Sequence, residues 1–126
     1  MQVLLVDDDA NLRALLRTTF DVFDIAVEEA GSAAEARALI RDAKPDVIVL
    51  DVMMPKRDGF DVLASLKSNP ATRGIPVVLL SARARDEDVW QGWRAGADYY
   101  VTKPFNLDEL LRFIDQAVDK VTRSRG

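Results

Sequence analysis

Four short apolar runs of this 126-residue chain are followed by polar side chains that could do chemistry. These side chains are three consecutive acids, a fourth acid, a hydroxyl and an amine, namely Asp7, Asp8, Asp9, Asp51, Ser81 and Lys103. If the runs are strands of one parallel sheet, their carboxyl ends meet at the same edge. Carboxylates brought together there would repel one another unless a cation lay between them. Mg²⁺ prefers such oxygen ligands, so the residues predict a magnesium site beside an alcohol and an amine.

Each of these residues also has a structural interpretation that needs no chemistry. Asp9 could cap the helix that follows it, and Ser81 could cap a later helix. Asp51 precedes a loop that contains a proline and could be a turn residue, and Lys103 could be a solvated surface charge. Taken singly, these structural interpretations are favoured. Four strand ends that all carry polar groups nevertheless favour a common site.

The composition excludes several other kinds of site. The chain has no cysteine and no histidine, which removes disulfides, thiolate or histidine metal ligands and Ser-His-Asp catalysis. Residues 7–18 begin like an EF-hand loop, but that loop needs a glycine and an acid where this chain has Leu12 and Thr18. No Walker-type phosphate loop occurs. Any chemistry must therefore use carboxylates, hydroxyls and amines, with an oxygen-binding metal.

Charge and hydrophobicity limit the kinds of partner and the cellular location that we expect for the chain. The 17 basic and 21 acidic residues give a net charge of −4, which argues against direct nucleic-acid binding and against an anionic membrane surface. No apolar run is long enough for a signal peptide or a membrane span. The absence of cysteine fits a reducing compartment. We therefore expect a cytoplasmic protein without membrane contact.

Short apolar runs alternate with longer amphipathic stretches along the chain. The runs are rich in β-branched or aromatic residues and are Val3–Val6, Ile25–Val27, Val47–Leu50, Val77–Leu80 and Tyr99–Val101. Three of them lack polar alternation, which is typical of strands that are covered on both faces. Between the runs, apolar residues recur at helical spacing, as Leu12, Leu15 and Leu16 do. The pattern predicts an α/β fold in which a doubly wound parallel sheet carries helices on both faces.

Local signals mark where several helices begin and end. Capping boxes are indicated at Ser32–Glu35 and, in a looser form, at Asn106–Glu109. Pro45 follows the second helical stretch, where a helix must stop. Gly96 stands where the predicted fourth helix should end.

The length of the chain predicts a single domain. A domain of this size buries enough surface for a core without disulfides. We assign residues 1–121 to this domain. The polar and basic residues 122–126 are interpreted as a C-terminal tail or the start of a linker.

Four stretches of the chain resemble one known family. They are VLLVDDD at 3–9, VIVLDVMMPKRDGF at 47–60, VVLLSA at 77–82 and AGADYYVTKPF at 95–105. In this order, each at a predicted strand, they resemble the receiver domain of bacterial two-component response regulators, of the CheY-like chemotaxis-regulator type. The resemblance covers essentially the whole chain. It implies a flavodoxin-like receiver fold with a five-stranded parallel sheet of order 2-1-3-4-5.

The resemblance also implies roles for the acidic residues. Asp51 resembles the phosphoacceptor, which a sensor histidine kinase, a phosphotransfer protein or a small acyl phosphate would phosphorylate with Mg²⁺ as cofactor. The implied metal ligands are the carboxylates of Asp8 and Asp51 and the backbone carbonyl of Met53, with Asp7 binding through water. The product would be an aspartyl-phosphate. The protein so implied is a signalling switch that catalyses only its own phosphorylation and dephosphorylation.

Further residues resemble the parts of the family that sense and transmit phosphorylation. Lys103 resembles the lysine that contacts the phosphoryl group, and Ser81 the hydroxyl that moves toward it. Tyr100 resembles the aromatic switch residue. An output surface on the predicted fourth helix, fifth strand and fifth helix would include Val89, Trp93 and Tyr100. Its implied partners are a downstream effector protein or an attached output domain, and a homodimer could form through the same surface.

This interpretation makes a geometric demand and has two rivals. It requires the Lys103 amine and the Ser81 oxygen to lie within contact range of Asp51, and the Asp51 carboxylate to be open to solvent. One rival is a haloacid-dehalogenase-like phosphohydrolase, which the spacing of Asp7 and Asp9 faintly resembles, although the chain has little room for a substrate pocket. The other is a pseudo-receiver that binds partners without phosphorylation, which would lack acceptor or metal residues, and none is missing here.

Overall fold

The computed structural model describes residues 1–42, 44–51, 59–81, 96–102 and 106–125. The strands, in chain order, are β1 (Gln2–Val6), β2 (Ala26–Ala30), β3 (Val47–Asp51), β4 (Val77–Ser81) and β5 (Tyr99–Thr102). The helices of these ranges are α1 (Ala10–Val22), α2 (Ala33–Asp42), α3 (Gly59–Ser68) and a C-terminal helix (Leu107–Arg125). All five predicted strands are present. The predicted fourth helix lies outside the described residues.

The five strands form one sheet in the order β2-β1-β3-β4-β5. Every neighbouring pair is parallel, which confirms the fold class and the strand order. β1 and β3 lie side by side in the interior of the sheet, with Val6 opposite Leu50. At the other end of the order, Ser81 of β4 lies opposite Thr102 of β5. The carboxyl ends of these strands therefore share one edge of the sheet.

Successive strand residues face opposite sides of the sheet and build two separate core clusters. In β1, Leu4 and Val6 belong to one cluster, while Val3 and Leu5 belong to the other. The helices of the first cluster are α2 and α3, and the helices of the second are α1 and the C-terminal helix. All five residues of β3 are buried. The lack of polar alternation in β3 thus follows from helices covering both faces.

The predicted helix caps at Ser32 and Asn106 are both present. The Ser32 hydroxyl accepts the Glu35 amide at 3.2 Å, and the Asn106 side-chain oxygen accepts the Asp108 amide at 2.8 Å. The Glu35 carboxylate accepts in return from the amide of Gly31 at 3.3 Å. The return bond of a capping box normally goes to the cap residue itself, so here it reaches one residue further back.

A polar cluster ties the end of α3 to the starts of β4 and β5. The Lys67 ammonium donates to the Ile75 carbonyl at 2.9 Å and lies 3.4 Å from a carboxylate oxygen of Asp98. The same Asp98 oxygen accepts the Val77 amide at 2.8 Å. Gly96 comes just before β5 with φ of 105°, and a Cβ built there would lie 2.9 Å from Lys67 Cγ. The backbone at Gly96 therefore requires glycine on two counts, its conformation and its space.

One sequence expectation differs from the structure in α1. The sequence pattern predicts Leu15 on the apolar stripe of α1 with Leu12 and Leu16, yet Leu15 is 62% exposed. Leu16 and Phe20, one turn apart, form the buried stripe instead, and Leu15 lies too far around the helix to join them.

The C-terminal helix continues through residues 122–125, and the domain boundary at residue 121 stays a prediction. Within the described ranges, no helix is both long and apolar enough to cross a bilayer.

Candidate functional site

Three carboxylates meet at the edge of the sheet where β1 and β3 end. One oxygen from each of Asp7, Asp8 and Asp51 lies within 4.8 Å of the others. Asp7 and Asp51 are 1% and 2% exposed, and Asp8 is exposed. Three like charges at this separation destabilise one another unless a cation balances them. Because every donor is a carboxylate oxygen, the set fits a hard cation such as Mg²⁺ or Ca²⁺.

The backbone and the side chain of Asp7 are both held by hydrogen bonds. Its amide donates to the Ala30 carbonyl at 3.1 Å, and its carbonyl accepts from the Arg13 guanidinium at 2.6 Å. One carboxylate oxygen of Asp7 accepts the Asp9 amide at 2.9 Å. Because that oxygen already carries a protein hydrogen bond, Asp7 has less capacity for a direct metal bond than Asp8.

Asp9, the third acid of the triplet, has a structural role. Its carboxylate accepts the amides of Asn11 and Leu12 at 3.0 and 3.3 Å, which makes it the N-cap of α1. The structural interpretation of Asp9 is therefore confirmed. Its cap also fixes the direction in which the chain leaves the acidic cluster.

Asp51 is the last residue of β3 and lies opposite Leu80 of β4. The sequence interpretation requires its carboxylate to be open to solvent, and this expectation is wrong for the structure, in which Asp51 is 2% exposed. The cause is its position on an interior strand that is covered from both faces. Asp8 is the exposed member of the cluster.

The remaining predicted residues of the site are only partly described. The backbone of Ser81 ends β4, next to Asp51 at the end of β3. Lys103 follows Thr102 directly in the sequence, but its position lies outside the described residues. Met53 also lies outside them, as do two predicted output residues, Val89 and Trp93. The distances from Asp51 to the Lys103 amine and to the Ser81 hydroxyl are thus still predictions.

Tyr100 lies in the middle of the edge strand β5. It is opposite Leu79 and is partly buried against the core cluster of α2 and α3. Its neighbour Tyr99 faces the other side of the sheet and stacks on Phe113 of the C-terminal helix, with ring centroids 4.9 Å apart. Tyr100 therefore lies on an edge strand next to the strand that ends in Ser81.

Sequence analysis missed Arg13 and Glu29, which support the acidic cluster. The Arg13 guanidinium bonds the Asp7 carbonyl and also lies 3.3 Å from the Glu29 carboxylate. Arg17 bonds the other Glu29 oxygen at 2.6 Å, and this hydrogen bond, reinforced by the charge of Glu29, raises the pKa of Arg17. The only sequence signal is that Arg13 and Arg17 are one helical turn apart and share a face of α1.

Comparison with known proteins identifies the family to which the chain belongs. Residues 3–115 match the family model described as response regulator receiver domain. The chain is 37% identical over 110 residues to RpaA of Synechocystis, a DNA-binding dual master transcriptional regulator. It is 37% identical over 109 residues to the phosphate regulon regulator PhoB of Pseudomonas aeruginosa and 41% identical over 111 residues to the response regulator MprA of Mycobacterium avium. These alignments cover 86–88% of this chain but only 46–48% of each relative. The chain thus spans about half the length of these relatives.

Solved structures agree with the family model. The Francisella response regulator 1452 receiver domain superposes with a TM-score of 0.88 at 35% identity, covering 94% of this chain and 97% of the other. A CheY-like receiver domain protein from Methanospirillum hungatei gives a TM-score of 0.90 at 25% identity, with 98% and 97% covered. The likeness extends over nearly all of both chains in each case. The chain belongs to the family of response regulator receiver domains of two-component signalling.

Proposed function

We propose that Asp51 is the residue of this receiver domain that becomes phosphorylated. The observation that carries the proposal is the meeting of Asp7, Asp8 and Asp51, whose oxygens lie within 4.8 Å of one another at the edge of the sheet. Asp51 is the acid of the three that ends β3, beside the strand that ends in Ser81. That is the arrangement expected of a carboxylate that works with a cation, a hydroxyl and an amine.

The acidic cluster fits Mg²⁺ as the cofactor. Asp8 and Asp51 would bind the ion directly, together with the backbone carbonyl of Met53. Asp7 would bind it through water, since one Asp7 oxygen already accepts the Asp9 amide. When bound, the ion would offset the charge of the carboxylates and of the phosphoryl oxygens.

The chain's own residues would then carry the phosphoryl transfer. An oxygen of Asp51 attacks phosphorus, and the bond from phosphorus to the donor's nitrogen or oxygen breaks, leaving its electron pair on the donor. Asp51 becomes a mixed anhydride. Lys103 would hold one phosphoryl oxygen as a point charge, and the Ser81 hydroxyl would donate to another. Attack of water on phosphorus later breaks the bond between phosphorus and the Asp51 oxygen, releases inorganic phosphate and restores the carboxylate. The domain thus catalyses only its own phosphorylation and dephosphorylation.

The phosphorylated state would be transmitted through a surface distant from Asp51. Movement of Ser81 toward the phosphoryl group would make room for Tyr100, which is partly buried against the core cluster of α2 and α3. The output surface would include Tyr100, Val89 and Trp93. The phosphoryl donors would be a sensor histidine kinase, a phosphotransfer protein or a small acyl phosphate in the cytoplasm.

The receiving partner would be an effector protein or an attached output domain, and a second copy could bind to the same surface. The relatives RpaA and PhoB are named as transcriptional regulators and are about twice as long as the matched region. Their length supports an attached output domain as one form of this partner.

Intact-mass measurement after incubation with acetyl phosphate and Mg²⁺ tests the proposal. One added phosphoryl group is expected on the unmodified chain, and none in the presence of EDTA or in Asp51→Asn. Asp42→Asn is the matched control, because Asp42 is an exposed acid at the end of α2, and it should be phosphorylated normally. A phosphoryl group that persists in Asp51→Asn would contradict the assignment.

The phosphohydrolase rival makes a different prediction for the same variants. Turnover of a phosphate ester that survives Asp51→Asn but is lost in Asp7→Asn would favour that rival. The proposed receiver function predicts no such turnover in either variant. A colorimetric phosphate assay with p-nitrophenyl phosphate separates the two.

A further inference from the structure

A groove between α2 and α3 carries three cationic side chains. It has a volume of about 590 Å³, and its cations are Arg37 and Arg41 of α2 and Lys44 just beyond that helix. None of the described residues that line the groove is acidic. The groove lies over the core cluster of α2 and α3, on the opposite face of the sheet from the C-terminal helix. The described lining of the groove therefore carries three positive charges, on a chain whose net charge is −4.

None of the ion pairs in the described part of the chain involves these three cations. The ion pairs there involve Arg13, Arg17 and Lys67 only. Arg37 and Arg41 are four residues apart on one helix, where like charges repel by a few tenths of a kcal/mol. The helix dipole favours a cation in the last turn, which accounts for Arg41 but not for Arg37 one turn earlier. An anion bound between Arg37 and Arg41 would reduce this repulsion.

The floor of the groove is apolar and its far wall is fixed by hydrogen bonds. Ile40 and Leu66 line the groove and are 6% and 7% exposed. The Thr72 hydroxyl donates to the Leu66 carbonyl at 2.7 Å, and the Asn69 side-chain oxygen accepts the Ala71 amide at 2.9 Å. These bonds hold the turn after α3 in place, so the groove is largely formed before any ligand binds.

The lining also decides between kinds of anion. The described lining of the groove contains no aromatic side chain, so it offers a nucleobase no ring on which to stack. Arg37 and Arg41 are about one helical turn apart in the second half of α2. This spacing suits a peptide that carries several separate carboxylates. Arginine pairs well with carboxylates because its two N–H groups can bond both oxygens.

We propose that this groove binds an acidic peptide segment of a partner protein. Its carboxylates pair with Arg37, Arg41 and Lys44, and an apolar side chain between them covers Ile40 and Leu66. The contact is at the surface and charge-dependent, so it weakens as salt concentration rises. It requires no phosphorylation of Asp51 and stands apart from the proposed phosphoacceptor function.

Titration of the ¹⁵N-labelled domain with a defined peptide tests this proposal. The probe is the acetylated and amidated peptide EDELLDEE, and its matched control is QNQLLNQQ, which keeps the leucines and removes the charge. The acidic peptide is expected to shift amide signals of residues 34–42 and 65–72 saturably. Arg41→Glu should weaken its binding by about tenfold or more. Arg112→Glu, an exposed charge reversal on the C-terminal helix, should leave it within about twofold.

Several results would overturn the proposal. Equal binding of the neutral peptide, shifts centred elsewhere, or equal losses in Arg41→Glu and Arg112→Glu would each do so. Inorganic phosphate that produces the same shifts and that the acidic peptide cannot displace would make this a small-anion site instead. Self-association without peptide that Arg41→Glu abolishes would identify a second copy as the occupant. Arg41→Ala, which removes the charge without reversing it, guards against a folding artefact and should weaken peptide binding less than Arg41→Glu.

Discussion

The guanidinium of Arg13 donates a 2.6 Å hydrogen bond to the backbone carbonyl of Asp7, the first acid of the cluster. Arg13 is itself held by Glu29 at 3.3 Å, and Glu29 is shared with Arg17. A charged network thus connects α1, β2 and the end of β1. Since the Asp7 side chain also bonds the Asp9 amide, the network fixes the point at which the chain enters the acidic cluster.

Replacement of Arg13 by alanine should weaken metal binding without removing any carboxylate. The Asp7 carbonyl would lose a charge-assisted hydrogen bond. Because the position is partly exposed, this loss should lower the free energy of unfolding by about 1–2 kcal/mol. Mn²⁺ affinity, measured by calorimetric titration, should fall several-fold, and Arg13→Lys should recover part of the loss. Arg112→Ala is the control. Unchanged Mn²⁺ affinity in Arg13→Ala would contradict a positioning role for Arg13.

The charge of Asp8 should have opposite effects on stability with and without metal. In metal-free buffer, Asp8→Asn should raise the free energy of unfolding by up to about 1 kcal/mol, because it removes repulsion from Asp7 and Asp51. Mg²⁺ at ten times its dissociation constant should stabilise the unmodified domain by about 1.4 kcal/mol and the variant by much less. Urea unfolding measures both effects. Equal stabilisation of both proteins by Mg²⁺ would show that the ion binds elsewhere. Asp42→Asn is the control and should behave like the unmodified domain.

The cap of α1 offers a stability prediction that is independent of metal. Asp9→Ala removes the side chain that accepts the amides of Asn11 and Leu12, and should cost about 1 kcal/mol. Asp9→Ser keeps a capping oxygen and should cost much less. Chemical denaturation in EDTA checks both variants, and equal stability of the alanine and serine variants would show that the cap contributes little.

Two glycines form a matched pair for testing backbone strain. Gly96 has φ of 105° and no room for a Cβ beside Lys67, whereas a Cβ at Gly74 would meet no atom within 4 Å. Gly96→Ala should therefore destabilise the domain by more than about 1 kcal/mol, while Gly74→Ala should be neutral or slightly stabilising. Thermal unfolding of the two variants side by side decides the matter. Comparable losses at both positions would argue against the strained backbone at Gly96.

The strands and helices could be predicted from the sequence because their signals are local, whereas the strand order was implied by the resemblance to receiver domains. The strands other than β2 contain short apolar runs, and β3 is buried over its whole length. β2 contains Glu28 and Glu29 and extends three residues beyond the predicted run Ile25–Val27. The caps at Ser32 and Asn106 depend on residues within three positions of each other. Leu15 was misplaced because residues three apart share a helix face only approximately, and α1 turns its Leu16 and Phe20 to the sheet instead.

The surroundings of the acidic cluster could be predicted only in part. Asp7, Asp8 and Asp51 were identified because parallel strands place their carboxyl ends at one edge. The burial of Asp51 and the bond from Arg13 to Asp7 depend on how helices pack over the sheet, which no local pattern encodes. The groove of Arg37 and Lys44 was missed for the same reason, since its second wall comes from α3 and the turn that follows it.

Asp7 follows β1 and Asp51 ends β3, and these two strands lie in the interior of the sheet. Interior strands usually exchange their amide hydrogens only when the whole domain opens, whereas edges and helix ends fray locally. An ion held by Asp7, Asp8 and Asp51 is thus attached to the most cooperative part of the molecule. Ion binding should raise the free energy of opening for amides in β1 and β3 by as much as it raises the global free energy of unfolding. Amide exchange in these two strands would then report how far the bound ion stabilises the whole domain.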